Sequence, residues 1–117
     1  MSAISTHVLD VAAGCPAAGM RVRLERVESA GQDGQSGHEE IAADVTDANG
    51  RIASLGPDAV LPGTYRLVFD TGGYLAKQSD APFFPEVIVT FAVTGRREHY
   101  HVPLLMSPFG YSTYRGS

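Results

Sequence analysis

Apolar residues in this chain recur at every second position. Thr64 to Asp70 places Tyr65, Leu67 and Phe69 on one side, and Glu86 to Thr94 does the same with Val87, Val89, Phe91 and Val93. Met20-Arg21-Val22-Arg23-Leu24-Glu25 alternates apolar with charged residues. A period of two is the side-chain period of a strand with one buried face, and a helix cannot satisfy it. Val27 falls out of phase, which predicts a bulge or the end of that strand. Ile4 to about Ala12 reads as a first strand, with Ser5, His7 and Leu9 opposite Ile4, Thr6 and Val8. Ile41 to Asp47 reads as another, with Ile41, Ala43 and Val45 sharing a side.

Turn formers separate these runs. Gly14 to Gly19 is a turn-rich break, Ala30 to Gly37 an exposed polar loop, and Pro62-Gly63 and Gly95-Arg96-Arg97 further turns. Asn49-Gly50 predicts a two-residue hairpin of type I′, because both residues tolerate positive φ, with the returning strand starting at Arg51. The one plausible helix is Tyr74 to Ser79, ended by Ala81-Pro82-Phe83-Phe84-Pro85. About seven short strands and one short helix predict an antiparallel β-sandwich. At 117 residues, with one composition regime and no repeats, residues 1–117 are expected to form a single domain.

Composition narrows the partners. A formal net charge of −4 and a pI near 5.4 provide no basic footprint for nucleic acid or an anionic membrane. No apolar run approaches the roughly 18 residues of a membrane span, and the Met1-Ser2-Ala3-Ile4 opening lacks a signal-peptide pattern, so the expectation is a soluble, cytoplasmic protein. Cys15, the single cysteine, lies in a Gly-Cys-Pro turn and has no internal disulfide partner.

Several catalytic signatures are missing. His38-Glu39-Glu40-Ile41-Ala42 lacks the second histidine of a zinc-protease helix, and there is neither a nucleophile elbow nor a phosphate-binding loop. The chemically interesting set is His7, Arg51, His99 and His101. Histidine, with an ordinary pKa of about 6.5, suits proton transfer at neutral pH. An arginine nearby fixes an anionic substrate or stabilises a developing oxyanion. Two histidines and an arginine suffice to activate water, whereas His7, His99 and His101 together would equally suit zinc. The residue types alone leave both readings open.

The stretch from His99 to Ser117 carries two imidazoles, a proline-bounded apolar run and a Tyr-Arg-Gly-Ser terminus, without one acidic residue. Disordered tails are poor in aromatic and apolar residues, so this segment is expected to serve the fold or the function. Period two sets His99, His101 and Pro103 on one face, and Tyr100, Val102 and Leu104 on the other. Leu104, Leu105, Met106, Pro108 and Phe109 are enough apolar surface to predict an interface.

Three blocks carry a resemblance: Ser5-Thr6-His7-Val8-Leu9-Asp10, Thr46-Asp47-Ala48-Asn49-Gly50-Arg51, and His99-Tyr100-His101-Val102-Pro103-Leu104-Leu105 running on to Tyr114-Arg115-Gly116-Ser117. Together they resemble the transthyretin-related family of 5-hydroxyisourate hydrolases. The resemblance implies a transthyretin-like sandwich of two four-stranded sheets with one short α-helix. It also implies cofactor-free hydrolysis of 5-hydroxyisourate to 2-oxo-4-hydroxy-4-carboxy-5-ureidoimidazoline, in urate breakdown. Matched position by position, the family's catalytic set falls on His7, Arg51 and His101, with Tyr114, Arg115, Gly116 and Ser117 lining the substrate site and no metal. Assembly as a homotetramer, a dimer of dimers with sites between dimers, is implied too. The related carriers of thyroid hormone lack the Tyr-Arg-Gly-Ser end. A carrier of small aromatic ligands and a zinc-binding protein are the rival expectations.

Overall fold

A computed structural model describes residues 2–28, 37–77, 81–95 and 98–117. Residues 30–36 of the expected loop, the Gln78-Ser79 end of the expected helix and the Arg96-Arg97 turn lie outside the described residues. In chain order the elements are β1 (Ile4–Asp10), β2 (Cys15–Pro16), β3 (Arg21–Val27), β4 (His38–Val45), β5 (Arg51–Ile52) and β6 (Gly63–Phe69). Then come α1 (Thr71–Leu75), β7 (Val87–Val93), β8 (Tyr100–His101), β9 (Leu104–Ser107) and β10 (Gly110–Thr113). No helix among the described residues is long and apolar enough to cross a membrane.

Two sheets form the expected sandwich. One runs β4-β3-β6-β7, all antiparallel. The other runs β10-β9-β1-β2, with the two-residue strands β5 and β8 added against β1. β1 is the spine of this second sheet, pairing parallel with β8 and β9 on one edge and antiparallel with β2 and β5. The inward faces follow the alternation: Ile4 and Val8 from β1, Val22 and Leu24 from β3, Tyr65, Leu67 and Phe69 from β6, and Leu104 and Met106 from β9 are all buried. Each such side chain stabilises the fold by roughly 1.5–3 kcal/mol relative to exposure.

The structure corrects four local expectations. The helix covers Thr71–Leu75 rather than starting at Tyr74, because the Asp70 carboxylate accepts the Gly73 N–H at 3.0 Å and so caps an earlier turn. Ile41, Ala43 and Val45 do not share a buried side. Leu24 pairs with Ala42 and Glu25 with Glu40, so Ile41 is an extra, bulged residue, and the phase of β4 flips beyond it. Val27, by contrast, is the last residue of β3, as one of its two expected readings had it, and pairs regularly with His38. The apolar run from Leu104 to Phe109 is only partly surface: Leu104 and Met106 fill the core, and Phe109 stays 80% exposed.

The fourth correction positions the site. Asn49-Gly50 does not close a type I′ hairpin, since among the described residues no non-glycine, Asn49 included, has positive φ, and within this turn Gly50 alone, at φ +76°, enters that region. Instead the turn carries the chain from one sheet to the other. Thr46 ends β4 by donating its hydroxyl to the Ala17 carbonyl (2.6 Å) and accepting the Met20 N–H (2.9 Å). Asp47 Oδ1 then accepts the N–H groups of Asn49 (2.8 Å) and Arg51 (3.0 Å). Gly50 lies against the Val8 carbonyl, with no room for a Cβ, and its own carbonyl accepts the Val8 N–H at 2.7 Å. β5 therefore lands on β1, placing Arg51 opposite His7.

Candidate active site

The outer face of β1 carries Ser5, His7 and Leu9, while Ile4, Thr6, Val8 and Asp10 are buried beneath it. His7 faces Arg51 across the β1–β5 pair, and Ser5 faces His101 across the β1–β8 pair. Strand spacing of about 4.8 Å and a two-residue step of roughly 6.7 Å put the His7 and His101 backbones about 8 Å apart. The structure thus gathers His7, Arg51 and His101 on adjacent strands of one sheet face. His99 joins them from the segment entering β8.

Hydrogen bonds commit one nitrogen of each imidazole. His7 Nε2 lies 3.0 Å from the Asn49 carbonyl oxygen, which can only accept, so this nitrogen carries a hydrogen and in the neutral ring Nδ1 is the one with the lone pair. His101 Nδ1 lies 2.8 Å from Ser5 Oγ, and His99 Nε2 lies 2.9 Å from the same oxygen. His99 Nδ1 is 3.1 Å from the Ser2 carbonyl. His99 and His101 thus share the Ser5 hydroxyl while His7 is tied to Asn49, and among the described residues no group of three or more His, Cys, Asp or Glu side chains is arranged to hold a metal ion.

The electrostatics favour a neutral base. Burial pushes the His101 imidazole below its ordinary 6.5, helped by the positive potentials of His7, His99 and Arg51. The Asp47 carboxyl is held below the usual carboxylate range by the Arg51 and Asn49 backbone N–H groups, then by the charges of Arg51 and His7. Arg51 itself is exposed and makes no ion pair with any described carboxylate, leaving a cation beside two imidazoles. Such a set can hold an anion, take a proton from water and return one to a leaving group.

The terminal residues divide. Gly116 crosses His101 as an antiparallel bridge, its N–H donating to the His101 carbonyl at 2.8 Å, and its Cα packs so closely on the imidazole that a Cβ would collide with Cδ2. Tyr114 and Arg115 instead line a groove with Phe91, Tyr100 and Val102 at the β7 margin. There Arg115 covers the Tyr100 ring at 4.7 Å and reaches Glu98 at 3.4 Å. Ser117 is exposed beyond the bridge. Sequence reasoning missed Ser5 and the Asn49 carbonyl. The first was within reach, because alternation already put Ser5 on the His7 face.

Comparison with known proteins follows this geometry. Residues 4–116 match the family described as HIUase/Transthyretin. The chain is 45% identical over 115 residues to the 5-hydroxyisourate hydrolase of Salmonella typhimurium, an alignment covering 97% of this chain and 80% of the relative. Its fold is similar to that of Klebsiella pneumoniae 5-hydroxyisourate hydrolase, with TM-score 0.82, 37% identity and all of both chains covered. Transthyretin from Sparus aurata is also similar, with TM-score 0.80 and 31% identity over 99% of this chain and 97% of that one.

Proposed function

This chain belongs to the HIUase/Transthyretin family, and on that premise we propose that it hydrolyses 5-hydroxyisourate to 2-oxo-4-hydroxy-4-carboxy-5-ureidoimidazoline in urate breakdown. The observation that carries the reading is the convergence of His7, Arg51 and His101 on one face of β1, through the registers His7↔Arg51 and Ser5↔His101. The sandwich alone does not choose a function, since hydrolases and a transthyretin share it. A carrier of aromatic ligands has no use for two imidazoles with free lone pairs beside an uncommitted guanidinium.

In the proposed mechanism a water sits between the His7 and His101 lone pairs. One imidazole takes its proton as the oxygen attacks the ring amide carbonyl. Arg51 holds the substrate and offsets the charge that develops on the carbonyl oxygen. The amide C–N bond then breaks, and the imidazolium returns its proton to the departing nitrogen, leaving a carboxylate and an opened ring. Of the terminal residues, Gly116 forms part of the wall, bridged to His101 and packed on its ring. No cofactor enters this scheme, and a chelator is expected to leave the rate unchanged.

The test is the decay of freshly generated 5-hydroxyisourate, whose spontaneous opening supplies the baseline. Catalytic acceleration by the purified protein is expected. Decay at the spontaneous rate, with tight binding of an aromatic hormone-like ligand, would replace the hydrolase with a carrier.

The proposed assembly is a homotetramer, a dimer of dimers. Supporting it are the free sheet edges of β7 and β10 and the exposure of Phe109 (80%), Tyr111 (46%) and Ile88 (40%) beside them. Sedimentation at micromolar concentration is expected to give about four times the 12.4 kDa chain mass. A fully active monomer would contradict a site shared between subunits.

A further inference from the structure

We propose that Ser5 and His99 are positioning residues that fix the tautomer of His101, so that its Nε2 is the unprotonated nitrogen presented to the reaction. The inference rests on the hydrolase reading above and adds to it a role for two side chains outside the His7, Arg51 and His101 set.

The assignment follows from counting protons along one chain of contacts. The Ser2 carbonyl oxygen can only accept, so His99 Nδ1, at 3.1 Å, must carry the hydrogen. A neutral His99 then has a bare Nε2. Ser5 Oγ, 2.9 Å away, has a single hydrogen and must donate it there. With that hydrogen used, Ser5 Oγ can only accept from His101 Nδ1 at 2.8 Å. His101 is thereby the Nδ1–H tautomer, and its Nε2 keeps the lone pair. With His99 neutral, each link is forced by the one before it.

The surroundings hold the chain in place. Ser5 is 6% exposed and Ser2 3% exposed, so neither hydroxyl exchanges its partners freely with solvent. Ser2 donates its own hydroxyl to the Ile4 carbonyl at 2.6 Å. The backbone is strapped to the same segment, Tyr100 N–H donating to Ala3 O at 2.8 Å and Val102 N–H to Ser5 O at 3.0 Å. The titratable and charged groups facing His101 are His7 from β1, His99 from the approach to β8 and Arg51 from β5. All three oppose its protonation, which makes the neutral ring, and so the choice of tautomer, the form that matters near neutral pH. A base oriented by a third group is a recurring device, and the wrong tautomer removes the lone pair from the reacting side.

The experiment has two arms on the full-length protein. The first is two-bond ¹H–¹⁵N correlation of the imidazoles in wild-type protein, above their titration range. Nδ1–H for both His99 and His101, with bare Nε2, is expected; a His101 protonated at Nε2 overturns the inference even if the enzyme is fully active. The second is Ser5→Ala. Its kcat is expected to fall about 10- to 100-fold, with KM within about twofold and with His101 passing partly to the Nε2–H form. An unchanged kcat and an unchanged His101 spectrum overturn the inference. Because the spectra need no substrate, a wild-type protein inactive on 5-hydroxyisourate would sink the hydrolase reading while leaving the tautomer measured.

Discussion

Arg51→Ala is expected to slow turnover of 5-hydroxyisourate by about 10²- to 10³-fold, the scale on which a well-placed electrostatic donor acts. The loss falls on chemistry because little of the fold depends on this side chain. Arg51 is exposed, and the contact that shapes its turn is its backbone N–H donating to Asp47 Oδ1 at 3.0 Å, which alanine retains. Ile52, 4% exposed, continues to anchor β5 in the core. The melting temperature and the assembly are therefore expected to match the parent protein while kcat collapses. Arg51→Lys is expected to recover only part of the rate, since an ammonium keeps the charge without the planar fork. Turnover of Arg51→Ala at the wild-type rate would remove Arg51 from the mechanism.

Deleting Tyr114 to Ser117 is expected to cost at least about 10²-fold in turnover, as misplaced positioning groups do, and to leave the sandwich folded. The structure gives both halves of this. What is lost at the site is the Gly116 bridge that covers the His101 backbone and packs on its ring. What is lost to stability is small. The Arg115–Glu98 pair is exposed on both sides, 63% and 50%, and such pairs contribute about 0–1 kcal/mol. Arg115 over Tyr100 adds about 0.5–1 kcal/mol, and the Gly116 hydrogen bond about 0.5–1.5 kcal/mol. The core strand β9 and its partner β10 end before the deletion. Thermal denaturation and sedimentation beside the decay assay separate the outcomes. A lowered melting point with activity per folded molecule intact would make the tail merely structural.

Much of this was legible in the residues because side-chain period is a local signal. Tyr65, Leu67 and Phe69 are buried as alternation requires, and so are Val87, Val89 and Val93. The common direction of His99 and His101 was legible for the same reason, and both rings meet Ser5 Oγ. The partner of a strand is a different matter. Asn49-Gly50 has the local chemistry of a hairpin, yet the strand after it crosses to the other sheet. Thr46, clamped to Ala17 and Met20, and Ile52, drawn into the core, decide that choice through contacts made far along the chain. The bulge at Ile41 was equally hidden, since it exists only in the register between β3 and β4. The helix start had a sequence signal in Asp70, masked by a Gly-Gly pair that reads as a turn. The roles of His7, Arg51 and His101 came from resemblance to a family. Physical chemistry alone had left zinc as an equal reading, because residue type does not say which partner each ring nitrogen takes: His7 takes the Asn49 carbonyl, and His99 and His101 share the Ser5 hydroxyl.

The parallel edge of β1 also governs when a working protein first exists. Ser5 and His101 are 96 positions apart, and ribosomes add about 5–20 residues per second. The edge that will receive β8 and β9 is consequently synthesised some 5 to 20 seconds before its partners, estimated from those rates. During that interval Ile4 to Asp10 can be shielded on one side by β2 and β5 but offers its other row of N–H and C=O groups to any strand nearby. Strand pairing over so long a separation is intrinsically slow as well. The same geometry that joins two distant histidines through one serine hydroxyl thus makes the nascent chain dependent on prompt closure, and crowded or chilled synthesis is where failed molecules should accumulate as aggregates seeded at β1.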